Sequence, residues 1–237
     1  MKIVNWFYDN NTDSINLLGL TLLCNLISLI NINFISVYCY YLMWGNVNTK
    51  IKNMTNNQRV SDYASSFIHS IGLILVMFIN LLFDSTYIRY QILFYTISYF
   101  LYDINIIIDH KYSKLFLYHH IMSITNLLIG IFNENFLNYT LTCLLIGELS
   151  NPLQNLWNIA KIKDHKHQNI IFKYFTYSFI GLRAIIFPIY WFQSGLIYEN
   201  SNSALIYNLN MFLGLITSYI WGFKMVKIYY NKFIKKG

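Results

Sequence analysis

The sequence is poor in charged residues, proline, glycine and cysteine. Only 11% of its 237 residues are charged, and it has two prolines, 10 glycines and three cysteines. With 56% hydrophobic residues and a mean hydropathy of +0.39, this composition excludes an ordinary water-soluble domain. The scarcity of proline and glycine excludes a flexible linker between separate domains. The cysteines Cys24, Cys39 and Cys143 lie in apolar segments, which predicts buried thiols and no disulfide framework.

The amino terminus also lacks the positively charged segment of a cleavable signal peptide. Asp9 and Asp13 stand where Lys or Arg would be expected. We therefore expect the first apolar segment to remain in the protein as a membrane span.

The apolar residues form seven runs of about the length that crosses a membrane. A helix rises 1.5 Å per residue, so about twenty residues cross the roughly 30 Å of hydrocarbon. The predicted fold class is therefore all-α, a polytopic transmembrane helical bundle of about seven helices. The predicted spans are 17–45, 63–83, 90–108, 115–132, 136–158, 171–193 and 204–226.

Lys and Arg residues are distributed unequally between the two sides that seven spans define. Lys2 and Arg89 fall on the side of the amino terminus, and Arg183 lies within a span. The positive-inside rule makes the other side cytosolic, so we expect a luminal or extracellular amino terminus and a cytosolic carboxyl terminus. The membrane is that of the endoplasmic reticulum or another cellular compartment. The cytosolic basic residues are Lys50, Lys52, Arg59, Lys111, Lys114, Lys161, Lys163, Lys166, Lys173, Lys224, Lys227, Lys232, Lys235 and Lys236.

This distribution also explains the net charge of +7. Basic loops beside anionic lipid headgroups account for it, so we predict membrane lipids as partners and no nucleic acid. The sequence identifies no protein partner.

Six ionisable side chains lie within the predicted spans, apart from Lys173 and Lys224 at cytosolic span ends. Such groups are costly in lipid and face the bundle interior, so each is a candidate site residue. Counted along the helices from the cytosolic ends, they lie between roughly 7 and 18 Å deep, with His119 and His120 nearest the cytosol and Arg183 deepest. They are His69, Asp103, His119, His120, Glu148 and Arg183.

Helical periodicity places each ionisable group on a polar helix face. These faces predict a shared polar cavity. Pro152 and Pro188 fit this picture, because each leaves a backbone carbonyl without its helical donor, at Glu148 and Ala184. The faces combine Thr96, Tyr99 and Asp103; His119, Ser123 and Asn126; Glu148, Asn151 and Asn155; and Thr176, Arg183 and Tyr190.

Several of these residues have a structural interpretation beside the functional one. Glu148 and Arg183 can simply neutralise each other between neighbouring helices. His69 fits a packed, hydrogen-bonded histidine better than a ligand. Asp103 beside His119 or His120 is the arrangement that orients an imidazole for acid, base or nucleophilic chemistry.

The sequence contains no pattern typical of a metal site or a nucleotide site. One adjacent histidine pair does not supply the spaced clusters of a membrane metal centre, and His165 and His167 lie in a basic loop. A glycine-rich phosphate loop, a Gly-x-Ser-x-Gly elbow and a His-Glu-x-x-His motif are absent from the sequence. We predict no metal and no cofactor.

Tyr99-Phe-Leu-Tyr-Asp103 precedes Phe116-Leu-Tyr-His119-His120, and these two motifs are accompanied by the segments 59–70, Gly147-Glu148-Leu-Ser-Asn-Pro152 and Arg183 before Pro188. In this order, the motifs resemble those of the TLC domain family. The resemblance covers residues 59–226 as a TLC domain of six helices. Residues 1–58 then form the luminal terminus, first helix and cytosolic loop, and 227–237 a basic cytosolic tail.

The resemblance implies a helical bundle whose cavity opens to the cytosol. It also implies that the protein acts on membrane lipids. In its enzymatic branch, the ceramide synthases, acyl-CoA is a substrate and a fatty acyl group is joined to a sphingoid amine. His119 or His120 would then take the acyl group or activate the amine, and Asp103 would orient the histidine.

The fifth span departs from the synthase pattern. A single Glu148 stands where that branch has several aspartates, and the Glu-Leu-Ser-x-Pro form resembles the non-synthase branch. The leading hypothesis is therefore a role in lipid homeostasis by binding, sensing or moving a lipid. An acyl-CoA-dependent N-acyltransferase and, lower, a seven-helix receptor or channel are the alternatives.

Overall fold

A computed structural model describes residues 35–53, 58–109, 114–195 and 201–235. These residues are almost entirely helical and contain no strand, which confirms the predicted all-α bundle. The helices are α1 (35–53), α2 (Gln58–Phe83), α3 (Thr86–Asp109), α4 (Lys114–Phe132), α5 (Glu134–Glu148), α6 (Asn151–Ile162), α7 (Gln168–Gln193) and α8 (Asn202–Ile234).

Five of the described helices are long and apolar enough to cross a membrane, namely α2, α3, α4, α7 and α8. The first predicted span, 17–45, lies only partly within the described residues, and there its helix continues to residue 53. The chain is therefore a multi-pass integral membrane protein.

The predicted fifth span, 136–158, is not one continuous helix. Helix α5 ends at Glu148 and α6 begins at Asn151, with Pro152 in its first turn. Proline has no N–H to donate back to the preceding turn, so the helical hydrogen-bond ladder is interrupted here. The interruption leaves carbonyl groups of the last α5 turn available to other donors.

The sixth predicted span is continuous but irregular. Within α7, residues Ile180–Ile186 form a π-helical segment, and the N–H of Phe187 donates to the carbonyl of Leu182. Pro188 follows this wider turn, and the Tyr219 hydroxyl donates to the carbonyl of Ala184 at 3.3 Å. A side chain of α8 thus supplies the donor that Pro188 lacks.

Helix α1 packs on α2 and α3 through aromatic side chains. Trp44 is fully buried and lies against His69 and Tyr99, with ring centroids 5.4 and 5.1 Å away. Below this contact, the Asn48 side-chain amide donates to the Asp62 carboxylate at 3.1 Å. The helical part of the first span therefore belongs to the same packed body as the rest.

Helices α4 and α5 approach each other closely at Gly130. A Cβ atom on Gly130 would lie 2.7 Å from Oγ1 and 3.0 Å from Cβ of Thr140. Because the β-branched Thr140 side chain has little freedom to move, even one methyl group would force these helices apart.

We expect Gly130→Ala to reduce the free energy of unfolding by about 2 kcal/mol through this overlap. Thermal unfolding of the detergent-solubilised protein measures it. Gly45→Ala is the matched control, since its Cβ would meet no described atom within 4 Å. Thr140→Ala should restore tolerance of Gly130→Ala, and a Gly130→Ala protein as stable as the Gly45→Ala control would contradict the close contact.

Candidate functional site

Two cavities in the bundle interior share one wall. The lower cavity encloses about 1170 Å³ and the upper one about 770 Å³, open solvent at their mouths included. Four residues line both cavities, and we call them the junction: Phe100, His119, Glu148 and Arg183. Three of the six predicted ionisable residues therefore meet at one place.

The lower cavity lies toward helix ends that the predicted topology places at the cytosol. Its wall includes Asp62 near the start of α2, Ile107 near the end of α3 and Asn158 near the end of α6. The upper cavity continues into the bundle, with Asn126 and Tyr207 on its wall. Together they place a larger polar chamber at one end of the junction and a smaller chamber at the other.

His120 is held by hydrogen bonds at both ring nitrogens. Its Nε2 lies 2.7 Å from Asp103 Oδ2, and its Nδ1 lies 2.9 Å from the carbonyl oxygen of Phe116. A carbonyl only accepts, so Nδ1 carries a proton and Nε2 shares a further proton with Asp103. Asp103 and His120 therefore form the expected carboxylate–imidazole pair, and this pair is already satisfied within the protein.

His119 occupies a different environment from its neighbour. Its ring lies on the walls of both cavities, 5.5 Å from the ring of Trp221 and 5.7 Å from that of His120. Among the described residues, neither of its ring nitrogens has a hydrogen-bond partner. Of the two histidines, His119 is thus the one available to a molecule in the cavities.

Arg183 and Glu148 are connected through Asn151. The Asn151 amide donates to Glu148 Oε2 at 2.8 Å, and its oxygen accepts from Arg183 Nη2 at 2.7 Å. Within the described ranges no nitrogen of Arg183 lies close enough to Glu148 for a direct ion pair. The two charges are therefore linked through one amide side chain and not by the contact that simple neutralisation would give.

The interrupted backbone after α5 supplies the remaining partners of Arg183. Its Nε donates to Ser150 Oγ at 3.2 Å, and its Nη2 also donates to the freed carbonyl of Gly147. The guanidinium further lies over the Phe179 ring, 5.2 Å from its centre. The break after α5 therefore supplies hydrogen-bond acceptors to the buried Arg183 guanidinium.

The other predicted lining residues divide between cavity wall and core. Tyr99, Asn151 and Asn155 line the lower cavity and Ser123 lines the upper one. Asn155 also donates to Ser66 Oγ at 2.9 Å.

His69 lines neither of the two cavities described here. It is 1% exposed and stacks on Tyr99 with ring centres 3.8 Å apart. It is packed as expected, but among the described residues neither ring nitrogen has a hydrogen-bond partner.

Regular helical periodicity was a poor guide in α7. Thr176 bonds to the carbonyl of Phe172 in its own helix, and neither it nor Tyr190 lines a described cavity. The π-helical segment changes the angular spacing between these residues, so only Arg183 of the predicted face reaches the junction.

Sequence reasoning missed Trp221, Asn210 and Ser150. Asn210 donates to Asn126 Oδ1 at 3.0 Å, and its position within an apolar span was a usable signal. Ser150 adjoins the recognised Glu148 motif, whereas Trp221 looks like any other aromatic residue of a membrane helix. Within the described part of the chain, no three His, Cys, Asp or Glu side chains are grouped as metal ligands.

Asn151→Leu tests the link between Glu148 and Arg183. We expect it to lower the free energy of unfolding by about 3 kcal/mol, since each buried charge loses one hydrogen bond. Asn158→Leu is the matched control on the same helix, because Asn158 lines the lower cavity without a hydrogen bond to any described residue. Equal melting temperatures for the two variants in detergent would contradict a bridging role for Asn151.

Comparison with known proteins assigns the family. No curated protein and no solved structure matches the chain significantly. The sequence model of the TLC domain, in contrast, matches residues 23–227, which include the junction and part of the first predicted span. The chain therefore belongs to the TLC domain family.

Proposed function

We propose that this protein acts in membrane lipid homeostasis by binding, sensing or moving a lipid through its two cavities. The lower cavity would receive the polar head group and the upper cavity an acyl chain. The one observation that carries this proposal is the junction, where polar side chains line the shared wall of two chambers in a membrane-spanning bundle. A ligand with a polar part and a long apolar part fits such a pair of chambers.

The predicted orientation supports access from the cytosol. The lower cavity is lined at the helix ends that carry the basic loops, and the junction groups are deeper. Lipid entering from the cytosolic leaflet would therefore meet the polar chamber first. We propose the orientation that the positive-inside rule predicts, with the amino terminus luminal or extracellular and the carboxyl terminus cytosolic.

Gly214→Leu tests occupation of the upper cavity. Gly214 lines this cavity, and a Cβ there would meet no described atom within 4 Å, so a leucine would fill space without displacing the junction. We expect the purified variant to retain at least tenfold less bound lipid, measured by mass spectrometry of the extract. Gly45→Leu on α1 is the control, and wild-type lipid content in the Gly214→Leu protein would contradict the proposal.

An acyl-CoA-dependent N-acyltransferase is the second candidate, and the position of His119 favours it. Its unpartnered ring lies at the junction beside the satisfied Asp103–His120 pair. There it can accept the acyl group from the thioester, with release of the CoA thiol, and pass it to an amine. Alternatively it can take the proton from the attacking amine while the thiolate leaves.

Labelled acyl-CoA with a panel of lipid amines, sphingoid amines included, tests this chemistry. We expect His119→Ala to abolish product, whereas Tyr118→Ala keeps it, because Tyr118 is 60% exposed on the outer surface of the same helix. Equal product from both variants would remove His119 from the reaction. No product from the wild-type protein with any amine would contradict the enzyme.

A further inference from the structure

Two polar atoms at the junction have no partner although their side chains are buried. Arg183 is 7% and Glu148 5% exposed. Arg183 uses Nε and Nη2 for Ser150, Gly147 and Asn151, and Glu148 uses Oε2 for Asn151. Among the described residues, nothing pairs with Arg183 Nη1 or Glu148 Oε1. One donor edge and one acceptor atom are therefore left on the wall common to both cavities.

Protein atoms do not enclose Arg183 Nη1 or Glu148 Oε1, and both side chains line the cavities. Polar groups inside a protein are normally hydrogen-bonded, so these two atoms indicate what a molecule between the cavities should offer. A ligand group must offer an acceptor to Nη1 and a donor to Oε1. Water can do so, but a lipid that passes through the junction must replace that water or leave both charged groups unsatisfied. A lipid that leaves both charged groups unsatisfied would bind more weakly.

The charges of the ionisable side chains around the junction cancel. This restricts the chemical groups of a ligand that can bind there. Arg183 is linked to the oppositely charged Glu148. Asp103 and His120 share one proton, so their sum is zero whether they are an ion pair or an acid beside a neutral imidazole. A neutral linkage fits this layer better than a free carboxylate or a phosphate.

We propose that the junction recognises a lipid that carries an N–H or O–H donor beside its acyl carbonyl. The carbonyl accepts from Arg183 Nη1, the neighbouring donor binds Glu148 Oε1, and the chain continues into the upper cavity. This deepens the proposed lipid-binding function and rests on it. Amides of fatty acids have this pattern, as do single-chain glycerolipids with a free hydroxyl, whereas a fully esterified glycerol has acceptors only.

Paired lipids that differ by one methyl group test the proposal on the full chain. One pair is an N-ethyl fatty amide and its N-methyl tertiary amide; the other is a 1-acyl lysophosphatidylcholine and its 2-O-methyl ether. Binding is followed in detergent by native mass spectrometry and by fluorescence of Trp221 and Trp157, which line the lower cavity. We expect at least one parent lipid to bind about tenfold more tightly than its methylated partner, since a hydrogen bond to a charged group is lost.

A variant of Glu148 then tests whether this carboxylate causes the preference for the parent lipid. Glu148→Gln keeps the shape but replaces the carboxylate by a neutral amide, so the preference for the parent lipid should fall severalfold. Arg183 provides the complementary test, because Arg183→Lys should weaken parent and methylated lipid alike. The comparison of lipids on the wild-type protein stands even if a variant does not fold.

The outcomes separate this inference from the proposed function. Discrimination in one pair alone supports the proposal and identifies the donor as amide or hydroxyl. Equal binding of parent and methylated lipid in both pairs overturns the donor–acceptor recognition while lipid binding stands. Failure of all four lipids to bind overturns both.

Discussion

Burial of the Arg183 guanidinium is the constraint on which the site depends. An arginine inside a membrane bundle persists only where protein groups replace the water it has lost. Here they come from one short segment, the Gly147 carbonyl, the Ser150 hydroxyl and the Asn151 amide. The gap between α5 and α6 lies at the same place, and this break in the helical ladder leaves the Gly147 carbonyl available to the guanidinium.

Irregular backbone in both neighbouring elements follows from the same requirement. Non-helical or widened turns are tolerated at membrane depth only where they line a cavity or find other donors. The π-helical segment of α7 delivers Arg183 to the junction, and Tyr219 on α8 satisfies the carbonyl that Pro188 leaves open. Each proline accompanies an irregular segment beside the guanidinium. Pro152 stands in the first turn after the break that supplies its acceptors, and Pro188 follows the π-helical segment that carries Arg183.

Much of the fold was predictable from the sequence, because the length of the apolar runs indicates which segments form membrane-spanning helices. The site was predictable in composition, since Asp103, His119, Glu148 and Arg183 are too costly in lipid to lie elsewhere. The hydrogen-bond partners were not predictable, because only the tertiary structure shows that Asp103 contacts His120 and not His119. Nor could regular periodicity show the break at residues 149–150, the π-helical segment, or that His69 packs against Tyr99 behind the cavity wall.

The resulting site combines two neutral polar pairs with one unengaged imidazole, and it lies between two chambers of different character. This arrangement supports a ligand with a head group, a polar linkage and a chain, in that order along one path. The most direct test is an experimental structure of the full-length protein in a lipid bilayer disc. Continuous elongated density from the lower cavity past Arg183 and His119 into the upper cavity is the expected result; lipid density confined to the outer surface, with only isolated water in both cavities, would contradict it.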